Sequence, residues 1–144
     1  MRRRSPARAR IRKVIRFFPA VPNPESNVKR LYNAFFNTLR GFSYCLVHEA
    51  AVREEAVLLV IAVPLGIFLA PGIGWYVAMI GSLLAVLAVE LLNTSVEKLA
   101  DHITRDWNVE IRRVKDFGSA AVFCALCFCG LIWLAAIGLR FGLL

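Results

Sequence analysis

The chain has 144 residues, 58% of them hydrophobic and 19% charged, with a formal net charge of +8. That apolar share exceeds the ~45–50% of an ordinary globular chain and excludes both a disordered chain and an ordinary soluble domain. Charge is also segregated, because 12 of the 18 Lys and Arg precede residue 56 and none lies between Arg53 and Lys98. The composition therefore predicts a small all-α membrane protein whose basic flank faces anionic lipid rather than nucleic acid.

In chain order, residues 1–25 read as a basic disordered tail. Eight Lys and Arg fall in the first 16 residues, and the first acid is Glu25. No apolar signal core follows before residue 56, so a targeting segment is not expected. Phe17 and Phe18 beside Arg16 are suited to anionic headgroups, with a linker containing Pro19, Pro22 and Pro24 behind them. Residues 26–144 read as one membrane domain.

An amphipathic surface helix is expected over about 26–55. Ser26 or Asn27 is its candidate N-cap, Leu31, Phe35, Phe36, Leu39, Phe42 and Leu46 recur at helical spacing, and Glu49, Arg53, Glu54 and Glu55 close it. Membrane spans follow at about 50–70, 75–97 and 117–139. Pro64 is expected to kink the first span rather than end it, and Pro71-Gly72-Ile73-Gly74 forms a turn before the interfacial pair Trp75-Tyr76. Lys and Arg are concentrated before the first span and between the second and third. The positive-inside rule then puts the N-terminus and the Lys98–Lys115 loop in the cytoplasm.

Glu90, Glu97 and Asp101 are the residues that composition does not explain. At ~100° per residue they fall within about 20° of one line down a helix, with Asn93 about 60° to one side. Glu90 lies roughly 22 Å beyond Trp75, inside the edge of the cytoplasmic leaflet. A carboxylate at that depth requires a partner, a proton or an aqueous cavity. Glu49, Arg53, Glu54 and Glu55 reach the same membrane level as Glu97, as do Lys115-Asp116 at the start of the third span.

Hard carboxylate oxygens suit Mg²⁺ together with substrate phosphates. Spacing alone leaves three readings open: structural salt bridges, a proton or cation path, and phosphoryl transfer. Neither a Walker A loop nor a protein-kinase motif set is present. Cys124, Cys127 and Cys129 lie mid-span without a fourth ligand and read as packing thiols, and Cys45 as a reduced thiol. His48 and His102 read as interfacial polar residues.

The string Glu90-Leu91-Leu92-Asn93-Thr94-Ser95-Val96-Glu97, continued to Asp101, resembles the signature of prokaryotic diacylglycerol kinases. Lys115-Asp116 with Gly118-Ser119-Ala120-Ala121-Val122 is similar to that family's second block, and Glu49-Ala50-Ala51-Val52-Arg53 matches a third. The resemblance spans about residues 29–140. It implies a homotrimeric three-span kinase of the bacterial inner membrane that moves the γ-phosphate of Mg·ATP to a lipid hydroxyl at the cytoplasmic face.

By position, the resemblance makes Glu90 the general base beside the lipid hydroxyl and Glu49 and Glu97 the metal ligands. Asn93, Asp101, Lys115 and Asp116 join those two glutamates in holding ATP, Ser119 sits near the lipid substrate, and Arg53 is a supporting residue. His48 stands where the family usually has Asn, and His102 where diacylglycerol-specific members often have Arg. A sister branch phosphorylates undecaprenol, but the Glu-Ala-Ala and Gly-Ser-Ala-Ala strings look more like the diacylglycerol branch. Outside the enzyme class, the alternative is a proton or cation conductor using Glu90, Glu97 and Asp101.

Overall fold

The computed structural model describes residues 24–144, so the basic tail read at 1–25 lies almost wholly outside the described residues. Four helices follow one another: α1 (Pro24–His48), α2 (Ala50–Leu69), α3 (Ile73–Ile103) and α4 (Val109–Arg140). No strand occurs among the described residues, so the fold is all-α as the composition predicts. The chain divides into a unit ending at Arg40 and a unit beginning at Gly41.

In the first unit, α1 carries Leu31, Phe35, Phe36 and Leu39 as exposed apolar side chains at helical spacing. The Tyr32 and Phe36 rings lie 4.5 Å apart along the same stripe, as residues four apart on a helix do. That is the amphipathic surface helix expected from the sequence, but it ends at His48 rather than near Glu55.

The break falls on Glu49, whose backbone is extended (φ −115°, ψ 115°) while its N–H still bonds Cys45 O at 2.8 Å. No Gly or Pro marks this junction, and the apolar periodicity continues across it. Arg53, Glu54 and Glu55 consequently sit in the first turns of α2 instead of closing α1.

The second unit is built chiefly from the α3–α4 pair, with α2 packed on α3. Both α3 and α4 are long and apolar enough to cross a membrane. In α2 the apolar stretch begins only after Glu55, since three charges occupy its start. The helix runs on through Pro64 as expected and ends at Leu69, where the Ala70 N–H bonds Gly66 O at 2.9 Å.

Across the turn, the Tyr76 hydroxyl donates to Val63 O at 3.3 Å. Its ring packs on Gly66, where a Cβ would stand 3.2 Å from the ring edge. Deeper in the hairpin, Trp133 Nε1 and Ser82 Oγ both donate to Met79 O, at 3.2 and 2.7 Å. Ser82 also reaches Cys129 Sγ at 3.2 Å, so this buried thiol packs as expected, while Cys124 and Cys127 are exposed.

α3 has 31 residues and α4 has 32, which at ~1.5 Å each exceeds the ~30 Å hydrocarbon core. The excess carries polar residues beyond the apolar layer without ending either helix. α3 thus continues past residue 97 to Ile103, and α4 starts at Val109, ahead of the expected Phe117. Asn108 explains the early start, because its Oδ1 accepts from the N–H groups of Glu110 and Ile111 at 2.9 and 3.2 Å. Lys115 and Asp116 therefore lie inside α4 rather than at its opening.

Candidate functional site

One end of the α2–α3–α4 unit gathers the polar residues that the apolar segments lack. On α3 the order along the helix is Glu90, which is only 8% exposed, then half-buried Asn93 and Glu97, then exposed Asp101. Thr94 is buried beside them. Asn93 Nδ2 donates to Glu97 Oε1 at 3.3 Å, a bond that fixes which way the amide faces. The other carboxamide atom, Asn93 Oδ1, is buried without a hydrogen-bond partner.

α4 supplies the opposite wall. Lys115 Nζ donates to Asp101 Oδ1 at 2.5 Å, closing the outer end of the site. One turn deeper, Gly118 lies against Asn93, and the carboxamide oxygen occupies the space that a Cβ on Gly118 would need. This close approach requires glycine because of proximity rather than backbone conformation.

Glu49 comes from the junction between α1 and α2. It holds the N-cap position of α2 but makes no side-chain cap bond, and its carboxylate turns instead to Lys98 of α3, with Nζ 2.7 Å from Oε1. That oxygen is buried, and the Lys98 ammonium is the charge that faces it. Glu90 lies within electrostatic range of both Glu97 and Glu49. Glu55, half-buried on α2, is in turn within range of Glu90, and its Oε2 has no hydrogen-bond partner.

Lys98 and Asp101 lie beyond the apolar segment of α3, and each is tuned by its partner. The Glu49 carboxylate holds the Lys98 ammonium above the ordinary lysine value. The hydrogen bond from Lys115 holds the Asp101 carboxyl below the ordinary aspartate value. Next to them opens a polar cleft of about 580 Å³ lined by Lys98, Asp101, His102, Ile103, Thr104 and Arg105. It is an open groove around the end of α3, to which Lys98 and Arg105 bring cations and Asp101 a carboxylate.

The structure thus gathers Glu49, Glu90, Asn93, Glu97, Asp101 and Lys115. Arg53, Asp116 and Ser119 are exposed, and among the described residues their side chains make no hydrogen bond or ion pair with that group. Glu55, Lys98 and Gly118 join the site from outside the set of expected site residues. The sequence places Glu55 at the membrane level of Glu97 but gives it no role there.

Among the described residues no three His, Cys, Asp or Glu side chains form a ready metal cluster. The donor set nevertheless suits a hard cation. Glu49 already faces a positive charge, and Glu97 is a second carboxylate on α3. Mg²⁺ commonly takes one or two protein carboxylates and completes its shell with water and phosphate oxygens.

Comparison with known proteins agrees with this arrangement. The prokaryotic diacylglycerol kinase family matches over residues 36–137, which contain every residue of the site. The diacylglycerol kinase of Haemophilus influenzae is 38% identical over 108 residues, covering 75% of this chain and 92% of that protein. Its counterpart in Pseudomonas aeruginosa is 34% identical over 115 residues, covering 78% and 94%. The diacylglycerol kinase of Escherichia coli K12 is 30% identical over 120 residues, covering 83% and 98%. The chain therefore belongs to the prokaryotic diacylglycerol kinase family and is a lipid kinase.

Proposed function

We propose that the protein transfers the γ-phosphate of Mg·ATP to the free hydroxyl of diacylglycerol, giving phosphatidate and ADP at the cytoplasmic face of the bacterial inner membrane. The observation that carries this reading is the gradation along one helix. A buried carboxylate, Glu90, lies in the apolar part of α3, and exposed charged residues with a polar cleft beside them follow within three turns. A lipid hydroxyl and a polyphosphate can therefore approach one another along α3 from opposite directions.

Glu90 takes the proton of the lipid hydroxyl as its oxygen attacks the γ-phosphorus. The bond from that phosphorus to the bridging oxygen of ADP breaks in the same displacement. Lys115 offers its ammonium to the phosphate oxygens, and Asp101 orients Lys115 through the 2.5 Å contact. Asn93 is steadied by Glu97 on one side and Gly118 on the other, so its amide meets the nucleotide in a fixed orientation. Glu49 and Glu97 would hold Mg²⁺, which would supply charge neutralisation for the transferring phosphate. Asp116 completes the nucleotide contacts, Ser119 faces the lipid substrate, and Arg53 supports Glu49.

The same reading includes α2 as a third span, a cytoplasmic N-terminus and a homotrimer. Its basic tail rests on anionic headgroups.

The test separates two roles. Glu90→Gln removes a general base and lowers kcat by roughly 10²–10⁴-fold with nucleotide affinity kept. Glu97→Gln removes a metal ligand, abolishing turnover and raising the Mg²⁺ requirement. Equal loss of nucleotide binding in both variants contradicts the division.

A further inference from the structure

Lys98 lies outside the motif positions that carry the family resemblance, and the mechanism above gives it no step. Its ammonium nevertheless stands 2.7 Å from Glu49 Oε1, at the carboxylate that the proposed function assigns to a metal ion. The partners are unequal. The Lys98 side chain is 56% exposed and hangs on a flexible four-carbon stem, whereas that of Glu49 is 22% exposed. Glu49 is fixed by a backbone that ends one helix and starts the next. The ammonium is the partner with more freedom to leave.

The local charge explains why an ammonium should be there. Glu49, Glu90, Glu97 and Asp101 bring four carboxylates to this end of the unit, and Lys115 is engaged by Asp101. Lys98 is the cation that faces Glu49, where it relieves repulsion among the carboxylates. The cleft it lines, together with Arg105, gives it a second location beside a bound polyphosphate.

We propose that Lys98 is a built-in counter-cation. In the metal-free enzyme its ammonium occupies the edge of Glu49 that a divalent ion takes in the loaded site, and it swings into the adjoining cleft as ion and nucleotide enter. Metal and ammonium then compete for one carboxylate, so Lys98 sets the metal requirement of the enzyme. This inference rests on the reading of Glu49 as a metal ligand.

The test is Mn²⁺ binding to the full-length protein in detergent, followed by electron paramagnetic resonance of the free ion without nucleotide, with Mn²⁺ as the probe for Mg²⁺. Lys98→Met is expected to tighten Mn²⁺ binding roughly two- to fivefold, the size set by an exposed ion pair. Lys98→Arg, which keeps the charge, stays near the wild-type affinity. In a Glu49→Gln background, Lys98→Met produces no further tightening.

Unchanged or weaker Mn²⁺ binding in Lys98→Met overturns the proposal. So does equal tightening in the Glu49→Gln background, which identifies a general charge effect. If Glu49→Gln alone leaves Mn²⁺ affinity unaltered, the metal-ligand reading of Glu49 has failed instead, and the counter-cation role falls with it.

Discussion

Gly118→Ala is a one-carbon change whose consequence depends on Asn93. The added Cβ would overlap the carboxamide oxygen of Asn93 and stand 3.2 Å from its Cγ. The overlap falls on the terminal carboxamide of a short side chain on a neighbouring helix, so either the helices separate or the carboxamide rotates. Overpacking of this kind costs about 1–3 kcal/mol. Rotation also breaks the Asn93 Nδ2 to Glu97 Oε1 bond, whose loss is about 0.5–1.5 kcal/mol.

If about 1.4 kcal/mol of this appears as lost nucleotide contact, apparent affinity falls ~10-fold. The assay is KM for Mg·ATP at saturating lipid in Gly118→Ala, Asn93→Ala and the double variant, with helicity checked by circular dichroism. The expected result is a KM raised about tenfold in each single variant and little further rise in the double. A KM within twofold of wild type in folded Gly118→Ala, or fully additive effects in the double variant, refutes the positioning argument.

Two more expectations come from elements around the site. Asn108→Ala removes the cap that starts α4 and should cost about 1 kcal/mol, read as lowered thermal stability in detergent and faster amide exchange at Glu110 and Ile111. Asp101 has a carboxyl held below its ordinary value, so stabilisation from the Lys115 pair is present through the ordinary aspartate range and above it. That contribution is lost as pH falls through the depressed value. Lys115→Met should return the Asp101 titration toward ordinary aspartate values in carbon-detected NMR, and an unmoved titration rejects the pairing.

The helical character, the apolar segments of α3 and α4 and the turn at Pro71-Gly72 were legible because each rests on local chemistry that extends over many residues. The alignment of Glu90, Glu97 and Asp101 was legible for the same reason, since helical geometry fixes it once α3 is a helix. Boundaries set by a single residue were harder to read. Glu49 ends α1 without Gly or Pro, and Asn108 starts α4 well before the apolar run that marks the span.

Contacts between helices lay outside the sequence signal altogether. The family string contains Gly118, but it did not say that Asn93 is what approaches it. Lys98 gave no hint of Glu49 as its partner, because the two are brought together only when α2 packs on α3. Glu55 likewise acquires meaning only through its proximity to Glu90.

The central claim is that this carboxylate site moves phosphate from ATP to a lipid hydroxyl. Its most direct test is transfer of label from γ-labelled ATP in mixed micelles, with diacylglycerol and undecaprenol offered in parallel, with and without Mg²⁺, and with Glu97→Gln as the blank. The account predicts Mg²⁺-dependent label in phosphatidate that vanishes in the blank. Label in undecaprenyl phosphate keeps the mechanism and contradicts the substrate, whereas folded protein that labels neither lipid contradicts phosphoryl transfer at this site.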